Sequence, residues 1–220
     1  MSTHSAIERA LPTLGASAEI ILLTAATALR ERQASGLLVD VGCGTGRLRD
    51  YTRGFAADYI GVDVVRHPGL PPDVTFFHAD LDRDPVPVPS ACAGMVTALE
   101  TIEHLENPRA FVRELVRVLR PGGWMVVTTP NQLSARSLLS LLTRGHFAEF
   151  HGSCYPAHVT ALLPRDLERI AAECGLERAA VESIADGRVP LSSVRYPRFL
   201  SRLFPSALSD HVALVARKRG

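Results

Sequence analysis

At 220 residues the chain has the length of one α/β domain and can bury most of the surface its unfolded form would expose. A formal net charge of +1 carries no electrostatic footprint for nucleic acid, though it leaves room for a local patch, and Cys43, Cys92, Cys154 and Cys174 stand in neither C-x-x-C nor zinc-ligand spacing, which argues against a disulfide framework and for reduced thiols in the cytoplasm. The N-terminus lacks a basic region followed by an apolar core, and no uncharged apolar run reaches about 18 residues, so a soluble chain is expected.

In chain order, residues 1–34 read as helical. Ile20, Ile21, Leu22, Leu23, Ala26 and Leu29 form an apolar face, and Glu19, Arg30, Glu31 and Arg32 mark its wet side and its end, so this segment should cover one face of the domain. Leu37 to Val41 is an apolar run suited to one buried strand. Asp40 stands near its tip, and Gly42-Cys43-Gly44-Thr45-Gly46 follows before helical character begins. Alternate glycines let the backbone turn with unusual dihedrals and keep side chains away from the amides at a helix start, as a nucleotide-like ligand requires. The G-x-G-x-G spacing without a lysine fits neither the dinucleotide fingerprint nor the P-loop. Asp40 would repel a pyrophosphate and attract an ammonium group, and S-adenosylmethionine carries such a group.

The segment Asp40-Val41-Gly42-Cys43-Gly44-Thr45-Gly46 resembles the first motif of the class I S-adenosylmethionine-dependent methyltransferases at every position, and the resemblance extends over residues 36–130. It implies a Rossmann-like, doubly wound α/β fold: a mostly parallel seven-stranded sheet with an antiparallel last strand and helices on both faces, in a single domain spanning 1–220. It also implies S-adenosylmethionine as cofactor and S-adenosylhomocysteine as product. Asp40, Gly42, Cys43, Gly44 and Gly46 of the loop would hold it, with Asp63 and Val64, Asp80 and Leu81, and Leu99 at the ends of later strands.

Arg47 to Phe55 reads as the first helix of the sheet domain, and Tyr59-Ile60-Gly61-Val62-Asp63 as a short strand ending in an acid. Strands alternating with helices imply a parallel sheet with its ligand beyond the carboxyl ends. Asp63 would there accept hydrogen bonds from both ribose hydroxyls, the role the resemblance implies. Val74 to Ala79 is a third strand, and Asp80 matches the family's adenine-binding acid, although Asp80, Asp82 and Asp84 also read as an acidic turn. Gly94 to Leu99 is a fourth strand, preceded by Ala93-Gly94 where the family usually has an aspartate. Asn107-Pro108 starts a helix with a buried stripe of Phe111, Val112, Leu115, Val116 and Leu119, and Arg120-Pro121-Gly122-Gly123 should stop it before a fifth strand, Trp124 to Pro130.

Chemistry is expected directly after the fourth strand, in Glu100-Thr101-Ile102-Glu103-His104. A helical turn would place Glu100, Glu103 and His104 on one side. Nucleobase and glutamine amino-methyltransferases carry an Asn/Asp-Pro-Pro-aromatic segment here, which this chain lacks. The E-x-x-E-H pattern is instead similar to ubiquinone-pathway O-methyltransferases and to small-RNA 2′-O-methyltransferases. A histidine titrating near neutrality suits the removal of a hydroxyl proton, so His104 is the expected general base, with Glu100 and Glu103 beside it and no metal ligand required. The alternative places magnesium or manganese on the trio, with His158 corresponding to the small-RNA enzymes' later histidine.

Residues 131–163 form an apolar insert with Arg136, Arg144 and His146 interspersed, expected as a lid or acceptor wall; its basic and apolar mixture also fits a peripheral membrane contact. His151 and His158 otherwise read as turn residues. Pro164 to Cys174 is a helix stopped by Gly175, and Leu176–Ile184 and His211–Ala216 are the closing strands. The expected acceptor is a small or lipid-linked hydroxyl compound such as a quinol, a sugar or a secondary metabolite, with nucleic acid disfavoured. An RNA ribose methyltransferase and a catalytically silent S-adenosylmethionine-binding subunit stand as alternatives.

Overall fold

The computed structural model describes residues 6–10, 15–185, 187–190, 192 and 194–220. Seven strands form one sheet: β1 Gly36–Val41, β2 Ala56–Asp63, β3 Thr75–His78, β4 Ala93–Leu99, β5 Leu119–Pro130, β6 Leu176–Ile184 and β7 His211–Lys218. Their order is β3-β2-β1-β4-β5-β7-β6. Neighbours from β3 to β5 run parallel, and β7 is antiparallel to both β5 and β6. This is the doubly wound sheet with a reversed last strand that the resemblance implies.

The strand signals were apolar runs because the central strands are covered on both sides. Every residue of β4 is buried. Alternate residues of β1 supply different cores: Val39 and Val41 join the side packed by Phe111, Leu115, Leu167 and Ile170, whereas Leu38 joins the side packed by Ile21, Leu29 and Leu48. The first group comes from α4 (Pro108–Val118) and α6 (Pro164–Glu173), and the second from α2 (Glu19–Glu31) and α3 (Leu48–Thr52). Helix α4 begins as its residues dictate. Asn107 Oδ1 accepts from the Ala110 amide at 3.0 Å, and Pro108 fills the first helical position, where no amide hydrogen is needed.

Three element boundaries differ from expectation. Residues 1–34 do not make one helix: α1 (Ala6–Ala10) and α2 are separate, and residues 11–14 lie outside the described residues. The break serves the glycine loop, because the Gly15 carbonyl accepts from the Thr45 amide at 2.9 Å and so must face outward from any helix. Helix α3 is shorter than Arg47 to Phe55. Strand β5 starts at Leu119, with Arg120-Pro121-Gly122-Gly123 inside it as a register shift between Ala93 and Met95 of the partner strand, so the turn residues make a bulge. The remaining helices are α5 (Ala135–Arg144) and α7 (Arg198–Leu203).

Candidate active site

The strand order reverses between β1 and β4, whose crossover connections leave on opposite sides, and a ligand crevice is expected beyond the carboxyl ends there. A cavity of about 550 Å³ occupies that place. Its floor is the glycine loop, its far end is formed by residues 99–105, and its walls come from α1, from residues 149–158 and from Arg188 and His211.

The loop conformation depends on missing side chains at two positions. Gly42 has φ +77°, and a Cβ there would lie 2.2 Å from Thr101 Oγ1; Gly44 has φ +52°, and its Cβ would lie 2.1 Å from the Gly15 carbonyl oxygen. Asp63 ties the loop to β2, because its Oδ2 accepts from the Gly44 amide at 2.9 Å while Oδ1 accepts from the Val65 amide at 3.3 Å. Each oxygen keeps a further lone pair for a ligand hydroxyl. Asp40 is more enclosed than expected. Tyr59 and Thr97 donate their hydroxyls to its two oxygens at 2.6 and 2.7 Å, and burial pushes its pKa up to about 6 against the lowering effect of those bonds. A ligand ammonium would replace the solvation that this carboxylate has lost.

Gly42, Cys43, Gly44, Val64, Leu81 and Leu99 line the cavity with Asp40 and Asp63. Gly46 and Asp80 are not among the lining residues. The Gly46 amide instead closes the loop on the Cys43 carbonyl at 2.8 Å, and a Cβ on it would meet Leu70. Asp80 Oδ1 accepts from the Asp82 amide at 3.2 Å within the acidic turn. Burial pushes the Cys43 thiol well up, so it is a neutral wall.

Glu100, Glu103 and His104 all reach the cavity, but in a different grouping from the one a helical turn would give. Only Ile102–His104 is helical, as a single tight 3-10 turn, and Glu100 precedes it with φ +52°. The Glu100 amide donates to Thr128 Oγ1 at 3.0 Å, and Glu100 Oε1 lies 3.0 Å from His211 Nε2. Glu103 and His104 instead meet His158. The amides of Val159 and Thr160 both donate to the Glu103 carbonyl at 3.0 Å, and Thr160 Oγ1 donates to the Leu105 carbonyl at 2.6 Å. These bonds stitch the end of the insert to the turn and carry His158 onto His104.

One donor atom from each of Glu103, His104 and His158 lies within 4.8 Å of the others. His104 Nδ1 is 2.8 Å from the Ala157 carbonyl and His158 Nδ1 is 2.6 Å from the Glu149 carbonyl. A carbonyl only accepts, so each Nδ1 carries the proton and each Nε2 keeps its lone pair. Burial lowers the His104 pKa, and the neighbouring His158 adds to this. Glu103 is 1% exposed, its Oε2 has no partner, and burial followed by repulsion from Glu100 pushes its pKa up to about 8.

Sequence reasoning missed four contributors: Arg9, Glu149, Arg188 and His211. Arg9, the buried residue of α1, reaches Asp82 and lies 3.2 Å from Glu106. His211 opens β7, Arg188 donates to Asp210 Oδ2 at 3.2 Å, and Glu149 pairs with Arg136. All four lie far in sequence from the motif, and only their being ionisable residues next to apolar segments marked them.

The sheet order and the cavity at its switch point define a class I S-adenosylmethionine-dependent methyltransferase. Residues 15–181 match the methyltransferase-domain family, and the chain belongs to that family. A probable S-adenosylmethionine-dependent methyltransferase of Mycolicibacterium smegmatis is 35% identical over 111 residues, which are 48% of this chain and 42% of that protein. A ubiquinone biosynthesis O-methyltransferase of Burkholderia pseudomallei is 24% identical over 191 residues, covering 83% of this chain and 78% of that protein. Among solved structures, a SAM-dependent methyltransferase from Archaeoglobus fulgidus superposes with a TM-score of 0.67 at 16% identity, over 94% of this chain and 96% of that one. A Haloferax volcanii methyltransferase in complex with the Trm112 activator gives 0.65 at 18% identity, over 92% and 91% of the two chains. Among the described residues no helix is long and apolar enough to cross a membrane.

Proposed function

We propose that the protein transfers a methyl group from S-adenosylmethionine to the hydroxyl of a small or lipid-linked acceptor, with His104 as the general base. The site fits the cofactor. Any Cβ on Gly42 or Gly44 would collide with the chain that shapes the floor, Asp63 retains acceptor capacity for ribose hydroxyls, and Asp40 is a buried carboxylate at the ammonium end. When bound, S-adenosylmethionine supplies an electrophilic methyl group on its sulfonium.

The observation that carries the reaction type is the 2.8 Å contact of His104 Nδ1 with the Ala157 carbonyl. With Nδ1–H held by the Ala157 carbonyl, Nε2 is a neutral acceptor at the end of the cavity, and burial keeps it unprotonated at neutral pH. It can take the proton of an acceptor hydroxyl as that oxygen becomes the nucleophile, leaving an imidazolium that the Glu100 charge stabilises. Binding in one orientation within a walled cavity supplies the alignment that methyl transfer needs. Release of S-adenosylhomocysteine should be measured with quinols, catechols and sugars as acceptors, alongside primary amines and amides. Turnover confined to amines would overturn the assignment, and no turnover with any class would favour a silent binding subunit.

A second reading is favoured by the orphaned Oε2 of Glu103 beside two imidazole lone pairs, which together could hold a divalent cation. Two nitrogens and one oxygen suit manganese, iron or zinc better than magnesium, which prefers all-oxygen surroundings. Such an ion would act as a Lewis acid on the acceptor oxygen. Loss of turnover in a chelator, restored by manganese or zinc, would replace the base reading with this one.

A further inference from the structure

Helix α5 is built inside out. It turns Ser137 and Ser140 inward, at 3% and 8% exposure, while Leu138, Leu139 and Leu141 are exposed and Leu142 stands 84% in solvent. A helix that merely covered the fold would bury the leucines. Beside it, α7 and the residue after it leave Phe199, Leu203 and Phe204 more than half exposed. The two segments are joined: the Ala135 amide donates to the Ala207 carbonyl at 2.7 Å, and Asn131 Nδ2 donates to the Ser206 carbonyl at 2.7 Å. Exposed apolar surface of this extent on joined segments marks an interaction face.

The charge pattern says what it meets. No Asp or Glu occurs in residues 131–148 or 187–209, which contain six arginines. Arg136 and Arg188 turn inward to Glu149 and Asp210, whereas Arg144 on α5 and Arg202 on α7 are exposed. Segments that carry exposed apolar side chains and exposed arginines, and no acid, are complementary to an anionic lipid surface: the rings and leucines enter the acyl boundary and the guanidinium groups meet the headgroup charge. A second copy related by a two-fold axis would bring the same arginines toward themselves, which disfavours self-association through this face.

We infer that α5 and α7 together dock this protein on an anionic phospholipid bilayer. Docking there puts the bilayer next to the cavity, because Arg136 of α5 pairs with Glu149, which supplies cavity wall. A lipid-linked acceptor would then reach the site without crossing bulk water. The inference stands on the surface alone and holds whichever acceptor the cavity takes.

The test is co-sedimentation of the full chain with vesicles of equal parts phosphatidylglycerol and phosphatidylcholine, compared with phosphatidylcholine alone. Binding is expected to the anionic vesicles, to fall as salt is raised, and to weaken roughly tenfold or more in the double variant Arg144→Glu and Arg202→Glu. Leu142→Glu should weaken it as well, and because these side chains are exposed the melting temperature should not move. Failure to bind anionic vesicles, or equal binding to both compositions, would overturn the proposal. So would a concentration-dependent dimer by sedimentation velocity that Leu142→Glu dissolves, since the face would then belong to a second copy.

Discussion

His104 and His158 meet edge to face, with ring centroids 4.9 Å apart and planes at 66°, and each commits its Nδ1 proton to a backbone carbonyl of the insert. Neither ring can exchange tautomer without breaking a bond shorter than 3 Å, so both present a lone pair from Nε2. This symmetry makes the two histidines separable by experiment. If His104 is the base, His104→Ala should lower turnover by roughly a hundredfold or more, and His158→Ala, which removes only a packing neighbour, should cost much less. Equal losses in the two variants, together with metal found by elemental analysis of the wild-type protein and missing from both, would assign the pair to an ion.

Asp63 does two things at once, and its substitution should show both. Asp63→Ala removes the acceptor for the Gly44 amide as well as the proposed ribose contact, so S-adenosylhomocysteine affinity should fall by roughly 1–3 kcal/mol and the melting temperature should fall with it. Calorimetric titration of the variant decides the first part. An affinity equal to that of the wild type would remove Asp63 from the cofactor site.

Asp40 should make cofactor binding depend on pH. In the free protein its pKa stands at about 6, raised above the ordinary 3.8 mainly by burial. An acid raised on folding contributes stability below its unfolded pKa and loses it as pH rises through the folded one, here a window from about 4 to about 6 worth roughly 3 kcal/mol on full ionisation. A ligand ammonium reverses the preference by favouring the carboxylate. Affinity for S-adenosylmethionine should therefore be greatest above about pH 6 and decline as pH falls through that value, and Asp40→Asn should flatten the profile. A profile unchanged by that substitution would place the ammonium elsewhere.

Gly44 joins the cofactor loop to the N-terminal segment, and adding one methyl group should loosen both. In Gly44→Ala the new Cβ would stand 2.1 Å from the Gly15 carbonyl oxygen, at a φ of +52° that costs a non-glycine residue roughly 1–2 kcal/mol. The backbone of Gly15 has to move, which releases the Thr45 amide bonded to it. Amide exchange at Thr45 should accelerate, and S-adenosylhomocysteine should bind less tightly. Unchanged exchange there would mean that the segment does not rest on the loop in solution.

What could be read from the sequence follows the range of the interactions involved. The strands were legible because residues such as Val39 and Val96 must be apolar on a sheet covered on both faces, and α4 because Asn107 and Pro108 act within one turn. The glycine loop was legible because its constraint is on the backbone itself. Glu100 was drawn toward Glu103 and His104 by local spacing, whereas His211, far along the chain, meets it. The inside-out orientation of α5 was invisible for the same reason: an apolar stripe shows that a helix has two faces, and only its packing shows which one is turned to solvent.

Glu100 offers a case in which stability and activity should part. It sits at φ +52° as a non-glycine residue, fixed by the donation of its amide to Thr128, and its carboxylate also repels the buried Glu103. A backbone held in the left-handed region costs roughly 1–3 kcal/mol and persists where the surroundings demand it, often at a functional site. Glu100→Gly relieves both the dihedral cost and the repulsion, so the melting temperature should rise. It also removes the group 3.0 Å from His211 Nε2, so turnover should fall. Glu100→Gln separates the causes, because it keeps the strained backbone while losing the charge: it should gain less stability than the glycine variant and lose a similar share of turnover. His211→Ala combined with Glu100→Gln should cost less than the sum of the two, since either change alone breaks the pair. A glycine variant that melts lower and turns over at the wild-type rate would show that neither the backbone conformation nor the carboxylate is kept for catalysis.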